Sequence, residues 1–103
     1  MYTIAAPLNP GDQSAEVANL QQGLTLLLTR QLIQLDPATR QELLNALVNE
    51  ANDQVYKNAT QKSVSIFQEQ HQLAATGSVD PITAESLNAI LRDLGVLETV
   101  PVA

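Results

Sequence analysis

Residues 57–91 read KNATQKSVSIFQEQHQLAATGSVDPITAESLNAIL, and the punctuation of this stretch decides the fold. Thr60, Val64, Phe67 and His71 recur at three- and four-residue spacing, the period of one helical face. The pattern breaks over residues 73–79, where Gly77 sits, and predicts a short turn. Asp80 then offers a carboxylate to cap a new helix, and Pro81 takes its first position, where a missing N–H costs nothing. Ile82, Leu87, Ile90, Leu91 and Leu94 are expected along the buried face of that helix. The expectation is a helix over 59–72, capped by Asn58, and another over 81–94, stopped by Gly95 at the C′ position that favours glycine.

Working outward, the same start signal occurs upstream. Asp36-Pro37-x-Thr39-x-x-x-Leu43-x-x-Ala46-Leu47 matches Asp80-Pro81-x-Thr83-x-x-x-Leu87-x-x-Ile90-Leu91. It predicts a helix from Pro37 to about 51–54, with Leu43, Leu44, Leu47, Val48, Ala51 and Val55 on its apolar face. Before it, a first helix should begin near 12–14 with Ser14 as cap and run to about Arg30, its stripe made of Val17, Leu20, Leu24, Leu27 and Leu28. Gly23 interrupts that stripe at a cost of about 1 kcal/mol relative to alanine, which suits a close approach by another helix. Val17-x-x-Leu20-Gln21 echoes Val64-x-x-Phe67-Gln68. Pro7, Pro10 and Gly11 exclude a helix from residues 1–13, leaving an extended arm whose Tyr2, Ile4 and Leu8 could lie along the core. Residues 96–103, with Pro101, read as a linker, so 14–95 is expected to be one all-α domain.

Composition narrows the function. With 103 residues the chain is one domain's length, and with only Tyr2, Tyr56 and Phe67 as aromatics its core must be aliphatic. A net charge of −6 with five basic residues argues against nucleic acid as a partner and against charge-driven binding to an anionic membrane. The absence of cysteine removes disulfides and thiolate metal sites. No apolar run approaches the roughly 20 residues that span a bilayer, so no membrane insertion is expected. MYTIAAPLNP lacks the basic and apolar regions of a Sec signal. The expectation is therefore synthesis in the cytoplasm, with non-Sec export or action at the cell envelope left open.

No catalytic constellation is visible. His71 is the sole histidine, the acids are scattered, and the four glycines form no phosphate loop. The expected catalytic, metal and cofactor sets are therefore empty. Ser63, Ser65, Ser78 and Ser86 read as helix-capping or solvent-facing residues.

Three blocks carry a resemblance: Gly11-Asp12 with Val17-x-x-Leu20-Gln21-x-x-Leu24; Thr60-x-x-x-Val64-x-x-Phe67-Gln68-x-x-x-x-Leu73; and Gly77-x-Val79-Asp80-x-x-Thr83-x-x-x-Leu87. In order and spacing they resemble the peptidoglycan-binding-domain-like family. The resemblance implies a three-helix bundle, here with an extra helix inserted between the first and second family helices, over roughly 31–54. Two departures accompany it. The family's glycine-flanked aromatic turn is Val55-Tyr56-Lys57-Asn58 here, and Gln72 stands where a glycine usually precedes the Leu73 position. With its long connector, the chain also looks like the leading module of multidomain proteins similar to insecticidal toxin-complex A components.

The implied function is a non-catalytic module that binds peptidoglycan or another cell-wall glycan and tethers the other domains of a larger protein. The candidate ligand-binding residues are Tyr56, Asn58, Gln68, His71 and Thr76. Each has a plainer reading. Tyr56 could plug the core with its hydroxyl at the surface, His71 could be a half-buried helix-end residue, and Gln21 and Gln68 could hydrogen-bond backbone loops. Thr60 and Thr83 read as local caps. The alternative function is a protein–protein docking module on the same fold, using the inserted helix, whose Leu43, Leu44, Leu47, Val48 and Ala51 stripe is wider than one neighbour covers.

Overall fold

A computed structural model describes residues 1–97. It holds four helices, α1 (Ala15–Thr29), α2 (Pro37–Asp53), α3 (Asn58–Gln70) and α4 (Pro81–Asp93). Among the described residues there is no β-strand, only two isolated antiparallel bridges. Helix ends fall within two residues of the sequence expectation, as terminal fraying allows.

Three starts are capped as expected. The Ser14 hydroxyl accepts from Val17 N–H at 3.2 Å, Asp36 from Thr39 N–H at 3.0 Å, and Asp80 from Thr83 N–H at 2.7 Å. These hydrogen bonds hold the Asp36 and Asp80 carboxyls below the usual carboxylate range, the side-chain and backbone bonds from Thr39 and Thr83 leading. The fourth start differs. Asn58 does not cap α3, and Lys57 at the cap position supplies no side-chain bond. Glu50, reaching over from α2, takes that role. Its carboxylate accepts from Lys57 N–H (3.0 Å), Ala59 N–H (2.6 Å), Thr60 N–H (3.0 Å) and the Thr60 hydroxyl (2.8 Å).

All four helices end alike. At the end of α3, Gln72 N–H donates to the Glu69 carbonyl and Leu73 N–H to that of Gln68, the paired Schellman bonds. Equivalent pairs close α1 through Gln31 and Leu32, α2 through Gln54 and Val55, and α4 through Gly95 and Val96. The left-handed residue is glutamine three times, at Gln31, Gln54 and Gln72 (φ 57–61°), and glycine once, at Gly95 (φ 72°).

One aliphatic core joins the helices: Val17, Leu20, Leu24, Leu27 and Leu28 of α1, Leu43 and Leu47 of α2, Val64 and Phe67 of α3, and Leu87 and Leu91 of α4. Ile33 of the α1–α2 connector joins it. At about 25 cal/mol per Å² of apolar area, burying each such leucine contributes roughly 1.5–3 kcal/mol. Gly23 marks the closest approach. A Cβ there would lie 3.0 Å from Met1 Cε, 3.2 Å from Leu91 Cδ1 and 3.5 Å from Ile4 Cδ1, so the arm and α4 converge on α1 at this point.

Three expectations about packing are corrected. Ile82 is 62% exposed, because the buried face of α4 turns through Thr83, Ala84, Leu87 and Leu91 instead. Val48 is 48% exposed, since Leu43 and Leu47 fill the contact of α2 with the core. Ser63 is fully buried, its hydroxyl donating to the Ala59 carbonyl at 2.7 Å.

The arm over residues 1–13 is extended and built into the fold. Ile4 and Leu8 are buried in the core, while Tyr2 is exposed. Asn19 of α1 clasps the arm at Tyr2, accepting from its N–H (3.0 Å) and donating to its carbonyl (2.8 Å), and Asn88 of α4 does the same at Ile4 (2.6 and 3.2 Å). Val96 and Leu97, expected in the linker, pack half-buried against the core, and the Met1 ammonium donates to the Val96 carbonyl at 3.2 Å. The remainder of that linker, residues 98–103, lies outside the described residues.

Candidate functional site

Two loops, residues 54–57 and 74–80, lie side by side against the arm. Leu8 exchanges backbone hydrogen bonds with Val79 (2.9 and 2.8 Å). Tyr56 N–H donates to the Asp12 carbonyl (2.9 Å), and Gly11 N–H donates to that of Tyr56 (2.7 Å). Tyr56 itself is 1% exposed, and its hydroxyl donates to the Gly77 carbonyl across the gap between the loops. Burial, with a smaller contribution from the Asp12 charge, raises the Tyr56 hydroxyl above the usual phenol range. The ring is enclosed, so no face of it is open to stack on a sugar.

Gln68 fastens the same turn from beneath. It is fully buried; its Nε2 donates to the Ser78 carbonyl (2.9 Å), Thr83 Oγ1 (3.0 Å) and Thr76 Oγ1 (3.2 Å), and its Oε1 accepts from Gly77 N–H (3.0 Å). Gln21 holds the other loop with the same gesture, Nε2 donating to the Val55 carbonyl and to Thr60 Oγ1, both at 2.9 Å. Thr60 and Thr83 are thus glutamine acceptors and not caps. Tyr56 and Gln68 support the site from inside rather than line it.

The outer surface of the turn, with the exposed face of α3, forms an open cleft of about 450 Å³ lined by Asn58, Gln61, Lys62, Ser65, Ile66, Glu69, Ala75, Thr76 and Gly77. Asn58 and Thr76, from the sequence-derived set, meet here. Gly77 permits the close approach: a Cβ on it would lie 2.7 Å from Gln61 Cγ, and its φ of +77° suits only glycine. A neighbouring cleft between α2 and α3, lined by Thr39, Glu42, Leu43, Ala46, Glu50 and Ala59, shares Asn58 and Lys62 with it. His71 stands apart. It is the exposed C-cap of α3, its ring 4.2 Å from that of Phe67, and it opens on a different depression with Leu32, Gln34 and Gln70.

Gln61, Lys62, Ser65, Ile66 and Glu69 were not in the set predicted from sequence. They occupy the solvent side of α3, and the signal that could have found them is the face opposite Thr60, Val64 and Phe67. Among the described residues, no group of three or more histidine, aspartate or glutamate side chains could hold a metal, and no helix is long and apolar enough to cross a membrane.

Residues 13–87 match the family described as "Putative peptidoglycan binding domain". The chain belongs to the peptidoglycan-binding-domain family. No curated protein and no solved structure matches the chain. The matched span of this peptidoglycan-binding-family domain takes in all three blocks from Val17 to Leu87, both glutamine–threonine clasps and the cleft. The family is one of binding modules, which fits a site of amides, hydroxyls and two opposite charges on an open surface.

Proposed function

We propose that this domain binds the bacterial cell wall through the α3–turn cleft and tethers a larger multidomain protein there. The observation that carries the reading is the cleft itself. Its floor is held from inside by Tyr56 and Gln68, while Asn58, Gln61 and Ser65 line it with polar groups and Thr76, its hydroxyl bonded within the turn, forms an exposed edge. Preorganised polar groups on a fixed backbone are what a binding site needs and a mere surface loop lacks.

In this reading α2 is an insertion into the three-helix family pattern, the ligand-contacting residues are Asn58 and Thr76, and His71 lies outside the cleft. Residues 1–13, 14–95 and 96–103 act as arm, domain and connection to further domains, as in the toxin-complex A-like proteins that the sequence resembles. In this reading the domain works at the cell envelope.

The test is co-sedimentation of the purified domain with insoluble peptidoglycan sacculi, alongside Asn58→Ala and Gln61→Ala. Tyr56→Ala is unsuitable, because emptying a buried aromatic site costs about 3–5 kcal/mol and would act through unfolding. Retention of the wild type, weakened in both variants, is the expected result. Absence of retention at moderate salt would overturn the reading and leave the second one, docking to another protein domain.

A further inference from the structure

We propose that the α3–turn cleft recognises the peptide part of the wall polymer, a short peptide bearing a free carboxylate and the side-chain amine of a diamino acid, and not its sugars. The proposal rests on the wall-binding reading above and sharpens it.

The first observation is where the aromatic rings are. A pyranose ring offers an apolar C–H face, which proteins meet with an exposed aromatic ring. This chain has three aromatics. Tyr56 and Phe67 are each 1% exposed, and Tyr2 lies beside Ala15, Glu16 and Asn19 of α1, away from the cleft. None lines the site.

The second observation is the charge layout. Lys62 and Glu69 both line the cleft, and both are exposed. Lying i and i+7 on one helix, they face the same way, separated by about 10.5 Å of helical rise. An extended peptide advances about 3.3 Å per residue, so that distance spans roughly three residues. A peptide of this length can place its free carboxylate at Lys62 and the side-chain amine of a diamino acid at Glu69. Between them Gln61, Ser65 and Asn58 can pair with peptide N–H and C=O groups, and half-buried Ile66 offers an apolar surface for methyl side chains. The stem peptides of peptidoglycan have this chemistry: their N-terminal amine is tied up in the amide bond to the sugar, but they keep a free carboxylate and the side-chain amine of a diamino acid.

The experiment compares the full chain on intact sacculi, on sacculi whose glycan strands were first coupled to resin and then stripped of stem peptides by an amidase, and on intact sacculi with soluble stem tetrapeptide as competitor. Lys62→Glu, Glu69→Lys and the charge-matched control Glu85→Lys, on exposed α4 surface, accompany it. We expect intact sacculi to retain the protein, stripped sacculi to lose it, and the tetrapeptide to compete. Lys62→Glu and Glu69→Lys should each weaken retention about tenfold, with Glu85→Lys changing it less than about twofold. Equal retention on stripped sacculi would overturn the peptide assignment and leave wall binding standing. Equal loss in Glu69→Lys and Glu85→Lys would show a bulk-charge effect and overturn the site. Retention on neither material would overturn both readings together.

Discussion

Gln21 and Gln68 both bond to a loop carbonyl and to a threonine hydroxyl in the first turn of a later helix, α3 for Gln21 and α4 for Gln68, but they are not equally satisfied. Gln68 Oε1 accepts from Gly77 N–H, whereas Gln21 Oε1 is buried with no hydrogen-bond partner among the described residues. The backbone N–H equivalent to that of Gly77 belongs to Gln54, and the Schellman end of α2 has already directed it to the Ala51 carbonyl. A buried polar group left unpaired costs about 1–3 kcal/mol. Gln68→Leu should therefore destabilise by about 2 kcal/mol, since it strands the buried Gly77 N–H and leaves the Ser78 carbonyl only its bond from the Thr76 hydroxyl. Gln21→Leu should cost only about 1 kcal/mol: the Val55 carbonyl loses its donor, but an unsatisfied buried oxygen is removed and Thr60 keeps its bond to Glu50. Urea denaturation of both variants checks the order, and equal losses would refute it. The sequence signalled the pairing through the Val-x-x-Leu/Phe-Gln echo. It could not show that both glutamines point inward, since an amide at a helical position reads equally as solvent-facing. The same ambiguity hid Ser63 and misplaced Ile82, whose side chain lies one position outside the buried arc.

At the scale of elements, helix starts were legible and one was not. Ser14, Asp36 and Asp80 cap through residues three positions ahead, a local rule that sequence displays. The cap of α3 comes from Glu50, a contact between helices that no local pattern reveals. Glu50→Ala should destabilise by about 3 kcal/mol, as charge-assisted bonds to several donors are lost at once. Amide exchange should rise first at Ala59 and Thr60, and unchanged protection there would refute the assignment. Helix ends offer the converse opportunity. A non-glycine residue in the left-handed region carries a cost of roughly 1–2 kcal/mol, and Gln72 sits there where the family pattern has glycine. Gln72→Gly should stabilise by about 1 kcal/mol, raising Tm by roughly 4–8 °C. A lower Tm would mean that the Gln72 side chain contributes contacts that outweigh its backbone strain.

For the whole molecule, the glutamine clasps expose a tandem architecture. Gln21 reaches Thr60 across 39 residues and Gln68 reaches Thr83 across 15; the difference of 24 equals the length of segment 31–54, which contains α2. Thr39, in the repeat marked by Asp36-Pro37, receives no glutamine, so that repeat is shared capping grammar, while the glutamine–threonine pair is the architectural one. The two halves meet at the Tyr56 hydroxyl bond to Gly77, and the edges of the stability profile should follow from the groups that join and cap them. Asp36 and Asp80 have folded pKa values depressed from 3.8, so their contribution is present above that value and is lost as pH falls through the folded ones. Tyr56 has a folded pKa raised from 10.0, so its contribution is full below pH 10 and is lost as pH rises beyond it. Stability should thus form a plateau between about pH 5 and 9 with a shoulder at each side. In a Tyr2→Phe background, where Tyr56 is the sole tyrosine, tyrosinate absorbance should appear only as the fold opens, coincident with the loss of helical circular dichroism. Tyrosinate formation near pH 10 with the helices intact would show that the hydroxyl is not sealed between the loops, and would remove the rigid support on which the cleft depends.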